Sequence, residues 1–349
     1  MSVNVFYTFP VNISFVRNDE FLMRQSFNVY SHFFKQTKVS LSVSFIRQLF
    51  HLIVKIRSTD IYVSFFAGYS SFLPSLFSKI TGRPHLIILG GADCSSFPSI
   101  GYGCYQNRIL AWFTRRSIQW ATQLAPVAES LVDSPYTYIN TDFTRQGFKV
   151  FCKTNVPFTI INLGYDASRF RKTKNKIPDS FLTVAQLNEA NFYRKGIDLI
   201  FEAASNFPDC TFTIVGNNDK MQYDHIPDNV KLLPFVKYEQ LQDIYSEHEF
   251  YLQLSIMEGF PSAPCEAMLC ECIPITSNVG ALPDIVGDAG YLLRHKNISE
   301  LKILIDQARQ SDKIKMGKEA RKRIINKFPP EIRNKLIELI KKLSYKKSA

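Results

Sequence analysis

Apolar residues recur along this chain in two rhythms. Short runs rich in β-branched and aromatic residues alternate with longer segments whose apolar positions return every three or four residues. VNVFYTF, IYVSFF, HLIILG and QLAPVA are the short runs of the first half, and SFLTVAQL, TFTIVG, VKLLPFV, FYLQLSI and IPITSN those of the second. Runs of this kind read as strands and the longer segments as helices. Strands alternating with helices predict βαβ units and parallel sheets. The alternation restarts after YDASRFRKTKNKIPDS (165–180), a polar, charged stretch closing on a proline, which reads as a linker. The expected architecture is α/β, with two doubly wound, Rossmann-like domains over residues 1–164 and 165–325 facing a central cleft. A basic amphipathic helix is expected over 326–349, with Ile332, Leu336, Leu339 and Ile340 on one side. It either caps the second domain or crosses back to the first; the pattern leaves both open.

Composition narrows the class. With 349 residues, 46% of them hydrophobic, the chain can fill two cores. No window offers about 18 uninterrupted apolar residues, and MSVNVFYTFPVNISF lacks the basic and apolar regions of a signal peptide. Seven cysteines without C-x-x-C spacing argue against a disulfide framework and a structural zinc site, and fit buried thiols in a reducing cytoplasm.

The net charge of +11 is unevenly spread. Residues 1–160 contribute +8, residues 161–312 contribute −7 and residues 313–349 contribute +10. Basic ends suggest a face that meets something anionic, either phospholipid head groups or nucleic acid. Against nucleic acid, no binding module accompanies the basic residues, and the acidic stretch contains the best-formed motif. RILAWFTRRSIQW (108–120) combines Trp112, Phe113 and Trp120 with Arg108, Arg115 and Arg116, the pattern of a segment at an anionic bilayer. Burial of the tryptophans in the domain core is the alternative.

The densest chemistry lies in MEGFPSAPCEA (257–267), where Glu258 and Glu266 flank a turn containing Pro261 and Pro264. Proline removes a backbone donor, so both prolines are expected at or before a helix start, with Glu258 on a loop and Glu266 in an early helical turn. The order strand, turn, helix is where open parallel sheets bind ligands, and a helix N-terminus favours an anion. The two glutamates read as groups aimed at one ligand from two directions.

Residues 180–293 resemble the nucleotide-sugar-binding domain of retaining glycosyltransferases of the family 4 type, which have the GT-B arrangement. LTVAQL, RKGIDLIFEAA, FTIVGNN and VKLLPFVKYEQLQDIYSEHEFYLQLSIMEGFPSAPCEAMLCECIPITSNVGALPDIVGDAGYLL occur in the family's order. NLGYDASRF is similar to the interdomain segment, and LGGAD (89–93) to a degenerate H-G-x-D loop. The resemblance implies a transfer of sugar from a nucleotide-diphosphate-sugar donor to a glycan acceptor, often a lipid-linked saccharide of the bacterial envelope. It also implies an enzyme at the cytoplasmic face of the membrane, with no tightly bound cofactor and no catalytic metal. Another GT-B enzyme, such as a sugar-nucleotide epimerase or a phosphorylase, and an inactive nucleotide-binding homologue remain alternatives.

Roles follow from the resemblance residue by residue. Glu266 would accept hydrogen bonds from the two ribose hydroxyls, and Glu258 would contact the transferred sugar. Gly259, Phe260, Pro261 and Ser262 would bring backbone close to that sugar and its phosphate. Lys195 would hold the phosphates, with Arg194 as a helper, and Gly216 would let backbone approach the base or ribose. Asp93 is a candidate sugar- or acceptor-facing group, with a helix cap as the competing role. The chain departs from the family where Gln186 stands for an arginine, Gly90 for a histidine, Ala281 for a glycine and Asp284 for a glutamate; a glycine pair is missing from TFPVNIS.

Overall fold

The computed structural model describes residues 2–37, 39–217 and 221–345. The chain divides into two compact units, one holding residues up to 135, 142–163 and the segment from 331 onward, the other 136–141 and 164–330.

In the first unit, β1 (Asn4–Phe9), β2 (Asn28–Phe33), β3 (Ile61–Phe65), β4 (His85–Leu89) and β5 (Gln123–Pro126) form a parallel sheet in the order 2-1-3-4-5. β3 and β4 are buried along their whole length, as their unbroken apolar runs require of strands covered on both faces. β2 escapes the hydrophobic pattern because it is an edge strand, NVYSHF, with mostly half-exposed side chains. Helices Leu41–Lys55, Tyr69–Thr81 and Arg108–Trp120 make the crossovers between successive strands from β2 to β5.

The second unit has β6 (Ile177–Val184), β7 (Thr211–Asn217), β8 (Val230–Pro234), β9 (His248–Gln253), β10 (Ile273–Ser277) and β11 (Tyr291–Leu293), all parallel, in the order 8-7-6-9-10-11. Strand order reverses between β6 and β9, which places a ligand-binding crevice outside their carboxyl ends. β6 opens four residues inside the expected linker, and three-residue β11 is too short to show periodicity. β9 ends three residues earlier than the run FYLQLSI suggests, because the carbonyls of Leu254 and Ile256 leave the ladder and accept from tyrosine hydroxyls.

Those hydroxyls explain why 136–141 belongs to the second unit although the pattern puts it in the first domain. Tyr136 donates to Ile256 O at 2.8 Å, Tyr138 donates to Leu254 O at 3.3 Å, and Lys296 N donates to Tyr138 O at 2.9 Å. Helix Lys313–Lys327 also stays with the second unit, held by Arg321 to the carbonyls of Phe170 and Ala167. The terminal helix therefore begins later than expected, at Asn334 after the Pro329–Pro330 break, and runs to Tyr345; residues 346–349 lie outside the described residues. It belongs to the first unit, where Leu336, Ile337 and Ile340 are buried and Arg333 forks onto Asp19 at 2.7 and 2.5 Å. With both ions almost wholly buried, either one alone would be an uncompensated charge.

All seven cysteines are free thiols, buried or half-buried. Among the described residues no helix is long and apolar enough to cross a membrane, and no group of three or more His, Cys, Asp or Glu is placed to hold a metal ion.

Candidate active site

β9 delivers its chain into a loop, residues 254–261, and then into helix Ser262–Leu269. Glu258 lies on the loop and Glu266 at the fifth position of the helix, both buried. Pro261 precedes the helix, whereas Pro264 is its third residue, one turn further in than expected. The first four N–H groups of a helix have no intrahelical acceptor, so a proline there forfeits no bond.

Lys195 arrives from the other side of the switch point. Helix Glu189–Arg194 is capped by Asn188, whose side chain accepts from Asn191 N at 2.9 Å. The chain then turns through Gly196 at φ +71°, where a Cβ would lie 2.2 Å from Leu254 O. Ile256 N donates to Arg194 O at 2.8 Å, which fastens 194–196 to the loop after β9. The outcome is an ion pair: Lys195 Nζ stands 2.5 Å from Glu258 Oε1. The same oxygen accepts from Gln253 Nε2 at 3.1 Å, and Gln253 is itself held by the Tyr251 hydroxyl at 3.0 Å and by Ser255 Oγ at 2.7 Å. Burial pushes the Glu258 carboxyl up, but the Lys195 and then the Arg194 charges outweigh it and hold the acid below the usual carboxylate range.

Gly196→Ala combines a left-handed backbone with a clash against main chain, neither of which a side-chain rotation relieves. We expect it to cost on the order of 2 kcal/mol and lower the thermal midpoint by several degrees. An unchanged midpoint in a melting scan would mean that this turn does not hold Lys195.

Glu266 faces a different set of partners. Its Oε2 accepts from the Tyr245 hydroxyl at 3.0 Å, Tyr238 adds a second hydrogen bond, and Arg169 lies 4.3 Å over the Tyr238 ring. Burial pushes its carboxyl up to about 7, against the hydrogen bonds of Tyr245 and Tyr238 and the Arg169 charge. Tyr238, Tyr245, Arg169 and Gln253 have no place in the sequence reading. The seven-residue spacing of the two tyrosines, two helical turns on one face, is the only signal that could have found any of them.

The remaining expected residues fall into three groups. Phe260 is buried, stacked on Tyr165 at 6.3 Å and edge-on to Phe328 at 5.2 Å, while the Tyr165 hydroxyl donates to Ser262 Oγ at 3.2 Å. With Gly259 also buried and Pro261 at the N-cap, these residues shape the turn between the two glutamates. Arg194 sits next to the ion pair but directs its guanidinium to Asn191 Oδ1 at 3.0 and 2.9 Å, and Asn191 in turn donates to Gln186 O. Gly216 has a reason independent of any ligand: at φ +104° it presses on the main chain of Ala185, where a Cβ would lie 2.4 Å from the carbonyl oxygen.

Asp93 does not join this cluster. It lies in the first unit, wholly buried, accepting from Ala67 N at 2.9 Å, Gly90 N at 3.0 Å and Gly91 N at 2.8 Å. The carboxylate staples the end of β3 to the end of β4, which fits the capping alternative of the sequence reading. Asp284 pairs at the surface with Lys327.

The folded chain matches solved structures of GT-B glycosyltransferases over nearly its whole length. It superposes on sucrose-phosphate synthase from Thermosynechococcus elongatus with a TM-score of 0.73, at 14% identity, covering 98% of this chain and 99% of that one. Against Anabaena HepE in complex with UDP the TM-score is 0.69 at 13% identity, covering 97% and 100%. The architecture is therefore GT-B, two Rossmann-like domains with parallel sheets. Residues 165–327 match the family model "Glycosyl transferases group 1".

Curated relatives include the gpi3 subunit of phosphatidylinositol N-acetylglucosaminyltransferase from Schizosaccharomyces pombe, 28% identical over 131 residues, 34% of this chain and 28% of that protein. O-antigen chain mannosyltransferase B of Escherichia coli is 32% identical over 83 residues, 24% of this chain and 22% of that protein. The chain thus spans between a fifth and a third of the curated relatives' length.

Proposed function

We propose that this protein is a retaining glycosyltransferase, taking a sugar from a nucleotide-diphosphate-sugar donor and passing it to a glycan acceptor, in the first place a lipid-linked saccharide presented at the cytoplasmic face of a membrane. The observation that carries the reading is the pair of buried carboxylates with opposite surroundings at one strand-to-helix turn: Glu258 ionised against Lys195, Glu266 raised among tyrosines. Breaking a sugar–phosphate bond develops negative charge on the departing pyrophosphate and positive charge at the anomeric carbon. A lysine ammonium held by Glu258, on the loop that leads into helix Ser262–Leu269, stabilises the first. A carboxylate with fixed geometry orients the sugar hydroxyls near the second. Glu266, one helical turn beyond, offers two acceptor oxygens to a vicinal diol such as that of ribose. The relatives' names support donor and acceptor alike: Anabaena HepE is described with UDP-glucose, and the curated relatives include transferases acting on phosphatidylinositol and on O-antigen chains.

The reading is tested by thermal denaturation with UDP, GDP, ADP and their sugar conjugates. One nucleotide should raise the midpoint, since a ligand at about a hundredfold excess over its dissociation constant adds ~2.7 kcal/mol. If none does, the second unit has no donor site and the assignment falls to an inactive homologue.

A further inference from the structure

Helix Leu41–Lys55 is apolar on its outward face as well as toward its own domain. Toward its own domain it buries Leu52 in the core with Phe6, Tyr62 and Phe77, and packs Phe45 on Phe34, Tyr69 and Phe113. It also buries Ser44 and Gln48 there, with Gln48 donating to Thr8 Oγ1 at 3.1 Å and to Ser70 O at 2.7 Å. Away from the domain it turns Val43, Ile46, Phe50, Ile53 and Val54, each between 55% and 69% exposed. Spacings of three, four and seven residues put these five on one stripe. A helix with only water outside would present polar residues there, so this second, outward apolar stripe is built for an apolar medium.

Charge decides which medium. Residues 21–59 contain six Lys/Arg and no Asp or Glu. Arg47 is exposed beside the stripe, and Lys55 ends the helix with its ammonium 5.1 Å over the Tyr30 ring. Cations flanking an exposed apolar stripe, with acids excluded, complement the anionic head groups and acyl boundary of a bilayer. A second copy would bring Arg47 and Lys55 against the same charges. The neighbouring helix Arg108–Trp120, which the sequence singles out for this role, contributes less. Phe113 and Trp120 pack on Phe72 at 4.8 and 5.6 Å, and Arg115 donates to Phe151 O, so of its large apolar residues only Ile109 and half-exposed Trp112 are left outward, beside exposed Arg108 and Arg116.

We propose that the outward stripe of helix Leu41–Lys55 docks the first unit on an anionic phospholipid bilayer, inserting Ile46, Phe50 and Ile53 among the head groups. The proposal supports a lipid-borne acceptor but stands apart from the donor site, which lies in the other unit.

The test is flotation of the full chain with phosphatidylglycerol-containing vesicles and with pure phosphatidylcholine vesicles, at low and at high salt. Wild type should float with the anionic vesicles and be released by salt. Ile46→Ser/Phe50→Ser should weaken the partition by at least about tenfold, and Arg47→Gln by about fivefold. All three side chains are exposed, so the thermal midpoint and the nucleotide-induced shift should not change; that control separates failure of this surface from failure of the donor reading. The proposal is overturned if wild type ignores anionic vesicles, if the double variant floats as wild type does, or if sedimentation shows a dimer that the double variant dissolves, which would make the stripe an interface between copies.

Discussion

Lys195→Ala is expected to lower turnover by a factor of about 10²–10³ and to destabilise the second unit by about 3 kcal/mol. Two effects act together. The substitution removes the cation that faces the departing pyrophosphate in the proposed reaction. It also leaves the Glu258 carboxylate buried with only the neutral donors Gln253 and Ser255 among its side-chain partners, and a buried charge without its counter-ion costs more than the pair contributed. Lys195→Ala/Glu258→Gln isolates the stability effect, because it removes the orphaned charge: stability should return toward that of wild type. The checks are steady-state kinetics with the donor found by the nucleotide panel and chemical denaturation of both variants. Turnover of Lys195→Ala within about threefold of wild type would remove Lys195 from the chemistry, since a transition-state cation is worth far more than that.

The second large effect is a pH dependence carried by Glu266. Its carboxyl sits at about 7 in the folded protein because of burial, while an unfolded glutamate titrates near 4.3. The fold thus favours the protonated form. That contribution is fully present below about pH 4.3 and is lost as pH rises through about 7, which leaves the unliganded protein at about pH 8 with a deficit on the order of 3 kcal/mol. Glu266→Gln cannot ionise, so without ligand it should be more stable than wild type at about pH 8 and equal to it near pH 4. Nucleotide binding should run the other way. Two ribose hydroxyls are best met by the ionised acid, so wild-type affinity should rise between about pH 6 and 8, and Glu266→Gln should bind more weakly at the upper end. Calorimetric titration across that range decides it: a flat wild-type profile, or equal affinity in the variant, would mean that Glu266 does not touch the nucleotide.

Much of the fold was legible because both Rossmann-like units repeat a local signal. Strands buried on both faces, such as IYVSF and HLIIL, must be apolar throughout, and their crossovers must be helix-length, so alternation along the chain carries the architecture. Legibility failed where the signal was not local. NVYSHF is an edge strand with little to bury, and segment 136–141 joins the second unit through tyrosine hydroxyls on two carbonyls far along the chain, which no periodicity encodes. The tail was ambiguous for the same reason. An apolar stripe states that a helix packs, and only the buried Arg333–Asp19 fork states where.

Within the candidate site the sequence alone determined the residue types and their order: a lysine before a tight glycine turn, and two glutamates astride a strand-to-helix turn. Those features rest on backbone sterics and on spacings of a few residues, which a linear chain displays directly. Only the tertiary structure decided what each group meets. Lys195 and Glu258 are 63 residues apart and become an ion pair because parallel strands β6 and β9 are neighbours. Burial sets Glu266 apart from Glu258 in charge, against the hydrogen bond by which Tyr245 reaches it across 21 residues. Asp93, equally acidic in sequence, is spent on three backbone amides. A carboxylate's chemistry depends on the charges, donors and water around it, and those are supplied by chain segments that meet only once the sheets have formed.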